Sequence, residues 1–381
     1  MNRSGIFLFL SIILICFTTN ISAQDFDQEI TYAKAKINTI ETRRLTDEIT
    51  GEVQIETVFS LEILSGDFKG ETKQVVYAGQ DSMPAYSRYK EGDKIFIGFN
   101  SIMMEDETDN YIALYDLDNT AGITIVMILL VITIVGIGKT KGLFSLLALM
   151  ITVGLIFFVF VPLTVKGYPS LVLTVLISII SIFITIPVIT GITRKTTAAI
   201  TGATSGVIVA TILALICGWS MHLAGIITDD MIQVFYLAEN RIDLRNLALS
   251  GMIIAALGAI MDVAVSIASA TSEIFEANPK IEFKKAFVSS LTIGKDILGS
   301  MVNTLILAYV GSSLSIVLII YMKYDAQMPV SMIFSHNPVL IEIIKSFVGS
   351  LGMFTAIPAT AFIATKIHFD KYNKAKRNVN Y

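Results

Sequence analysis

The sequence predicts a mixed fold, in which a small β-barrel-like domain of the OB or SH3-like type is followed by a bundle of about seven transmembrane helices. Two observations support this prediction. The 381 residues are 54% hydrophobic and only 16% charged, whereas about a quarter of the residues in a typical soluble domain are charged. The hydrophobic pattern also changes near residue 119, from short alternating runs to long continuous ones. We therefore expect one domain outside the bilayer and one within it.

Residues 1–23 have the pattern of a secretory signal peptide. A short basic start is followed by an apolar run at residues 6–17, and small or polar residues then lead to a predicted cleavage site after Ala23. Ile21 is larger than the residue usually found at this distance from a cleavage site, so an uncleaved signal anchor is the alternative. Both interpretations export the segment that follows.

Residues 24–118 are predicted to form the extracytoplasmic β-rich domain. Apolar and polar residues alternate in 52–64, 72–77 and 94–99, and glycine and aspartate separate these runs. This pattern is typical of short strands joined by tight turns. Roughly ninety residues and about five or six strands suit a small barrel, and a two-sheet sandwich is the alternative. No Ser/His/Asp set or Cys/His cluster stands out in this segment, so we assign no chemistry to it.

Residues 119–365 are predicted to be a polytopic transmembrane domain, and residues 366–381 a basic cytoplasmic tail. Hydropathy places seven spans in this domain, at about residues 120–138, 142–162, 169–190, 197–217, 247–270, 297–321 and 339–364. Lysine and arginine follow the first, third, fifth and seventh spans, whereas the opposite ends carry more aspartate and glutamate. The positive-inside rule then places the β-domain outside the cell and the C-terminus in the cytoplasm.

Two connections between the predicted spans are longer than a turn. Residues 218–246 are expected to form an outer connection that lies on the membrane surface or covers the bundle. Residues 279–292 are basic and amphipathic, and they are expected to form an inner connection anchored at anionic headgroups. Neither segment is therefore counted among the predicted spans.

The predicted helix at 247–270 carries an acid within the membrane. Small and polar residues follow one another there at steps of three or four, so they share one face within an arc of about 80°: Gly251, Ala255, Ala259, Asp262, Ser266, Ser269 and Glu273. The small residues allow another helix to approach closely. A carboxylate at this depth costs several kcal/mol unless it is paired, hydrated or protonated, so we expect a partner for Asp262 elsewhere in the chain.

The next predicted helix supplies the candidate partner. Lys295 and Asp296 enter the membrane from the cytoplasmic side, and Ser300 and Asn303 follow on the face of Asp296. Asp262 lies about 22 Å from the outer end of its helix, so its depth is compatible with a pairing with Lys295. Buried acids of this kind serve ion-coupled transport and proton relays. The alternatives are a structural lock between two helices and a lysine that extends to the headgroups.

The seventh predicted span carries a second pair of charges. Glu342 and Lys345 are three residues apart and lie one to two turns below the outer surface. They are expected to pair with each other or to reach the interface. Their position near a helix end favours a structural role over a functional one.

Three stretches of the predicted membrane domain resemble the YibE/YibF family of bacterial multi-pass membrane proteins. They are residues 257–270 (LGAIMDVAVSIASA), 293–309 (IGKDILGSMVNTLILAY) and 348–360 (VGSLGMFTAIPAT). The resemblance covers most of residues 120–365, and the exported domain is similar to that of the longer, YibE-like members. At Lys295 the resemblance leads us to expect a basic residue, often arginine. It implies a polytopic membrane protein and supplies no established activity.

These features lead to two main functional hypotheses. In the first, the chain is a permease or transporter-like protein, and a polar path for an ion or small solute is lined by Asp262, Lys295, Asp296 and Asn303. In the second, it is a non-transporting scaffold or complex subunit, whose β-domain binds an envelope protein partner and whose buried charges serve packing. A homo-oligomer is a further expected partner, beside the lipid bilayer itself.

Other classes of function have little support in the sequence. An intramembrane enzyme is not predicted, because no nucleophile motif, HExxH zinc motif or P-loop is present. Cys16 and Cys217 lie in apolar segments and the three histidines are far apart, so neither a metal site nor another cofactor is predicted. The net charge of −4 does not indicate a nucleic-acid partner.

Overall fold

The computed structural model describes residues 30–46, 53–80, 89–100, 111–223, 225, 229–238, 241–325 and 329–379. Within this part of the chain, two compact units separate near residue 133. The first unit contains a β-sheet, and the second contains the helices from Ile134 onward. The predicted signal peptide lies outside the described residues, so its export function stays a prediction.

The first unit is built on a five-stranded antiparallel sheet. Its strands are β1 (Ile30–Thr46), β2 (Val53–Ile63), β3 (Thr72–Gln80), β4 (Lys94–Asn100) and β5 (Tyr111–Leu117), in the order β3-β2-β1-β4-β5. The predicted β-rich segment is therefore confirmed. Closing this sheet into a barrel would require the edge strands β3 and β5 to pair, and the described residues contain no such pairing. The barrel stays a prediction.

Alternation along the central strands builds the core of this sheet. Successive side chains of a strand point to opposite faces, and here alternate residues in part of β1, the second half of β2 and β4 are buried on the same face: Ala33, Ala35 and Ile37; Phe59, Leu61 and Ile63; Ile95, Ile97 and Phe99. Tyr89 packs edge-on against Phe59, with 5.8 Å between the ring centroids. The alternation predicted at 52–64 and 94–99 thus buries one face of β2 and β4, whereas β1 was not predicted from it.

A salt bridge joins the first strand to the end of the last one. The Lys34 ammonium donates to Asp118 Oδ2 at 2.7 Å. Both this bond and hydrogen bonds from Thr120 hold the pKa of Asp118 at about 2, below its usual value. Asp118 directly precedes the first helix, so the bond ties the start of that helix to β1.

Nine helical elements follow the sheet in the described residues. They are α1 (Thr120–Val165), α2 (Ser170–Thr190), α3 (Arg194–Ser220), α4 (Asp229–Leu237), α5 (Leu244–Ala277), α6 (Phe283–Ser312), α7 (Leu314–Asp325), α8 (Val330–Phe334) and α9 (Asn337–Val379). Within the described ranges, α1, α2, α3, α5, α6 and α9 are long and apolar enough to cross a membrane. This number is close to the seven spans predicted from hydropathy.

Six apolar helices replace seven predicted spans because the first two spans form one helix, α1, which is sharply bent. Lys139 has φ 49° and ψ −131° inside this helix, a conformation that no α-helix contains. A Cβ added to Gly142 would collide with the carbonyl oxygen of Ile134, although these residues would be about 12 Å apart in a straight helix. The bend coincides with the boundary predicted between the spans at 120–138 and 142–162.

Two predicted connections contain helices. Residues 283–292, predicted as an inner connection, are the first turns of α6, and the predicted sixth span at 297–321 is interrupted at Ser313. Lys284 and Lys285 lower the local hydropathy, which moved the predicted start of this span too far along the chain. The predicted outer connection at 218–246 contains α4.

The helical unit has its core where α3, α5 and α9 meet. Glycines permit this approach: a Cβ added to Gly206 would lie 2.7 Å from both the carbonyl oxygen of Gly352 and Cγ2 of Ile260. In membranes, small residues of this kind let helix backbones pack closely. The helix α5 lies at the centre of this core, and its buried side chains are almost all apolar.

Candidate functional site in the membrane helices

The polar residues predicted on α5 lie on its outward face. Gly251, Asp262 and Glu273 are exposed, and Ala255, Ala259, Ser266 and Ser269 are half-buried. The opposite side of the helix is fully buried and contributes Ile253, Ile260 and Ile267 to the core. The prediction that these seven residues share a face is consistent with this burial. Their face points away from the core. Asp262 was predicted to be buried, and this prediction is wrong, because its side chain is exposed.

The polar residues predicted on α6 also point outward. The helix contacts α5 through Ser290, whose Oγ accepts a hydrogen bond from Thr271 Oγ1 at 2.9 Å. It also contacts α5 and α9 through Gly294, since an added Cβ there would meet Ile267 Cδ1 at 2.9 Å. At about 100° per residue, Asp296 and Asn303 lie about 160–180° around the helix from Gly294. Lys295, Asp296, Ser300 and Asn303 are accordingly exposed.

We call Asp262, Ser266, Ser269, Lys295, Asp296, Ser300 and Asn303 the α5–α6 polar face. The predicted pairing of Asp262 with Lys295 is absent: in the described residues, neither side chain takes part in a salt bridge or a hydrogen bond. The register of the two helices explains this. The contacts of Thr271 with Ser290 and of Ile267 with Gly294 set Lys295 level with Ser266, one turn away from Asp262.

The carboxylates of this face lie well inside their helices and not at the helix ends. Asp262 is about 27 Å from Leu244 and about 22 Å from Ala277 along α5, and Asp296 is about 20 Å from Phe283 along α6. The hydrocarbon core of a bilayer is about 30 Å thick, so we expect both carboxylates to lie within it when these helices cross a membrane. Direct contact with lipid would cost several kcal/mol per charge. The face must therefore be hydrated or covered.

The structure assembles a second polar cluster, between α6 and α9. The Lys345 ammonium donates to Glu342 Oε1 at 3.3 Å and lies 5.2 Å from the ring centroid of Tyr309. The pairing of Glu342 with Lys345 is thus confirmed. The Tyr309 hydroxyl and Glu342 Oε2 are buried, and neither atom forms a hydrogen bond with a described residue. Tyr309 was not predicted as a site residue, because nothing local in the sequence connects it with α9.

Residues 126–370 match the family described as YibE/F-like protein. The chain belongs to this family. The match confirms the resemblance seen at residues 257–270, 293–309 and 348–360, which all lie inside it. Together with the six apolar helices, it identifies the chain as a membrane protein. No curated protein and no solved structure matches the chain.

The family match of this YibE/F-like chain includes both polar groups of the membrane helices. It begins inside α1 and ends in α9, so it covers the α5–α6 polar face and the Tyr309–Glu342–Lys345 cluster, but none of the five strands. A cavity of about 210 Å³ lies at the start of α5, lined by Thr164, Tyr168, Arg241 and Asn246 among others. Asp243 also lines this cavity, and it caps α5 by accepting from the backbone N–H of Arg245 at 2.9 Å.

Proposed function

We propose that this protein is a permease of the transporter type, in which the α5–α6 polar face forms one wall of a path for an ion or a small hydrophilic solute. One observation carries this proposal. Asp262, Lys295 and Asp296 lie within two helices that are long and apolar enough to cross a membrane, are exposed at the surface of the helix bundle, and make no ion pair with any described residue. Charged side chains within membrane helices are costly in contact with lipid, and they commonly mark ion and solute pathways.

The alternative interpretation, a structural lock between α5 and α6, predicts a different arrangement. A lock requires the carboxylate and the ammonium to meet in a dry, fully hydrogen-bonded contact, because a buried charge without a partner destabilises the fold. The contact between these helices uses instead the hydroxyls of Thr271 and Ser290 and the small Gly294. The two helices therefore pack without help from the charges, which leaves the charges free for another role.

The chemistry of the face favours positively charged cargo. Two carboxylates accompany one ammonium, and the hydroxyls of Ser266 and Ser300 and the amide of Asn303 add neutral oxygen ligands. Carboxylate, hydroxyl and amide oxygens can replace the hydration shell of a cation, and carboxylates can also relay protons. The Tyr309–Glu342–Lys345 cluster lies about 9 Å farther along α6 than Asn303 but on its packed side, so it is not part of this face.

A flux assay in proteoliposomes across a panel of inorganic cations, protons and small solutes tests this proposal. We expect the variant Asp262→Asn to lower flux by about tenfold or more, because a neutral amide can neither relay a proton nor compensate a cation. Its melting temperature should stay unchanged, because Asp262 makes no hydrogen bond with any residue that the structure describes.

Glu276→Gln is the matched control. It also removes one carboxylate from α5, at an exposed position near the end of the helix, and the glutamine oxygen can still accept the hydrogen bond from Ser272 Oγ, so both flux and melting temperature should stay normal. Normal flux in Asp262→Asn, or a panel in which no solute moves, would reject the proposal. A large fall in the melting temperature of Asp262→Asn would favour the structural lock.

A scaffold function is the second candidate, and one observation on the sheet favours it. Tyr32 and Tyr115 lie on the face opposite to the buried core, with 61% and 40% of their surface exposed and 5.3 Å between their ring centroids. Exposed tyrosines are enriched where proteins bind one another. The same flux assay separates the two functions, because a scaffold would move no solute.

A further inference from the structure

The glycines of α5 and α6 divide into two groups by their surroundings. Gly294 is required by the contact of α6 with Ile267 and Ile357, which leaves no room for a side chain. Gly251, Gly258, Gly299 and Gly311 have no described atom within 4 Å of an added Cβ. A glycine within a helix costs about 0.5–1 kcal/mol relative to alanine, and no contact with a described residue requires glycine at these four positions.

The open glycines lie beside the α5–α6 polar face. Gly258 comes one turn before Asp262 on α5, and Gly299 lies between Asp296 and Asn303 on α6. Small residues on the outside of a membrane helix permit close approach by another helix. Open glycines also occur in α1, at Gly136 and Gly138, but here they coincide with unpaired charges, and the two features together indicate that protein covers this face.

The charges of the face indicate which protein this is. Lys295 and Asp296 are neighbours in the chain and differ in depth by only about 1.5 Å. All copies of a membrane protein insert in the same direction, so a two-fold axis between two copies must run along the membrane normal, and each residue then meets residues at its own depth. Lys295 of one copy can thus face Asp296 of the other, and the reverse contact forms at the same time.

We propose that a second copy of this chain covers the α5–α6 polar face, so that the path runs between two chains in a parallel two-fold dimer. This inference deepens the proposed function and rests on it for the claim that the enclosed space conducts a solute. In the dimer, two ammonium groups from Lys295 neutralise two of the four carboxylates from Asp262 and Asp296. Two carboxylates remain, so the enclosed space selects a cation or carries protons.

Cysteine crosslinking of the full chain in native membranes tests the dimer. Cys16 and Cys217 are first replaced by serine, and Gly299→Cys is then introduced, where an added side chain has open space. Near the two-fold axis a residue lies close to its own copy, so we expect oxidation to give a disulfide-linked dimer. Ile208→Cys is the matched control: it is 45% exposed on the apolar outside of α3 and should stay monomeric.

Charge exchange distinguishes a second copy from a different protein. Lys295→Asp in the Gly299→Cys chain should lower crosslinking by about tenfold or more, because it places only acids on both faces. The double exchange Lys295→Asp/Asp296→Lys should restore crosslinking, since it leaves both signs at adjacent depths. A partner with a fixed charge pattern would bind the exchanged face no better than the single variant.

Three outcomes would overturn the dimer: equal crosslinking at Gly299→Cys and Ile208→Cys, a Gly299→Cys chain that stays monomeric, or one that crosslinks only to a different protein. The flux assay is scored separately. Full flux from vesicles that hold a single chain would reject the dimer and leave the permease in place. A crosslinked dimer that moves no solute would reject the permease and leave the covered face in place.

Discussion

Asp262 and Lys345 illustrate two ways in which a membrane helix holds a charge. Lys345 is paired within its own helix, at 3.3 Å from Glu342, and is covered by the ring of Tyr309. Asp262 has no such partner in the described residues and stays exposed. The first charge is compensated by the fold, and removing its partner should destabilise the chain. The charge of Asp262 is not compensated by the fold, so its removal should affect function and leave stability unchanged.

The variant Lys345→Met should lower the melting temperature of the detergent-solubilised protein. It leaves the Glu342 carboxylate without its cation, with only 19% of that side chain exposed, which we expect to cost about 1–3 kcal/mol. The double variant Glu342→Gln/Lys345→Met should lose less stability, because it leaves no charge unpaired. If thermal unfolding shows at least as large a loss in the double variant, the pair does not compensate the charge.

At the scale of one element, α6 has a tight side and an open side. Ser290 and Gly294 hold it against α5 and α9, whereas Lys295, Asp296, Ser300 and Asn303 point away from these helices. The helix is therefore amphipathic in the manner of a soluble surface helix, although it is long and apolar enough to span a membrane. Because the polar side of α6 points outward, water or another protein must cover its open side.

Alanine substitutions on the two sides of α6 should have opposite effects on stability. Gly294→Ala places a methyl group against Ile267 and Ile357, and overpacking of this kind costs about 1–3 kcal/mol. Gly299→Ala meets no described atom within 4 Å, and the gain in helix propensity should stabilise the monomer by about 0.5–1 kcal/mol. Thermal unfolding of monomers in detergent measures both. Similar shifts in the two variants would contradict the position of α6.

At the scale of the whole molecule, the bend at Lys139 decides the topology. If α1 crosses the membrane twice, five crossings separate the sheet from the connection between α5 and α6, and the two lie on opposite sides. If α1 crosses only once, four crossings separate them and they lie on the same side. The positive-inside prediction requires the first arrangement, with the sheet outside the cell.

Labelling with a membrane-impermeant maleimide tests this topology. In a chain without native cysteines, Lys69→Cys in the turn between β2 and β3 should react in intact cells, because both the position is exposed and the sheet is expected outside. Lys280→Cys, between α5 and α6, should react only after the membrane is permeabilised. Reaction of both variants in intact cells would show that α1 crosses the membrane once.

Much of this architecture could be predicted from local patterns. Alternation placed β2, β3 and β4 but not β1 or β5, and hydropathy located six apolar helices and the break near Lys139. The pairing of Glu342 with Lys345 was predictable because residues three apart share a helix face. Tyr309 could not be added to that pair, because its contact with α9 depends on how two helices align, which no short stretch of sequence encodes.

By itself, the sequence determined that Asp262 and its neighbours share one face of α5 and that Lys295 to Asn303 form a polar stretch of α6. The helical repeat of about 100° per residue is a local property, so it groups residues correctly whatever surrounds the helix. Only the tertiary structure decided that both faces point outward. That direction depends on which sides of α5 and α6 the distant helices α3 and α9 occupy, and tight packing at Gly206, Gly294 and Gly352 assigns the apolar sides to them.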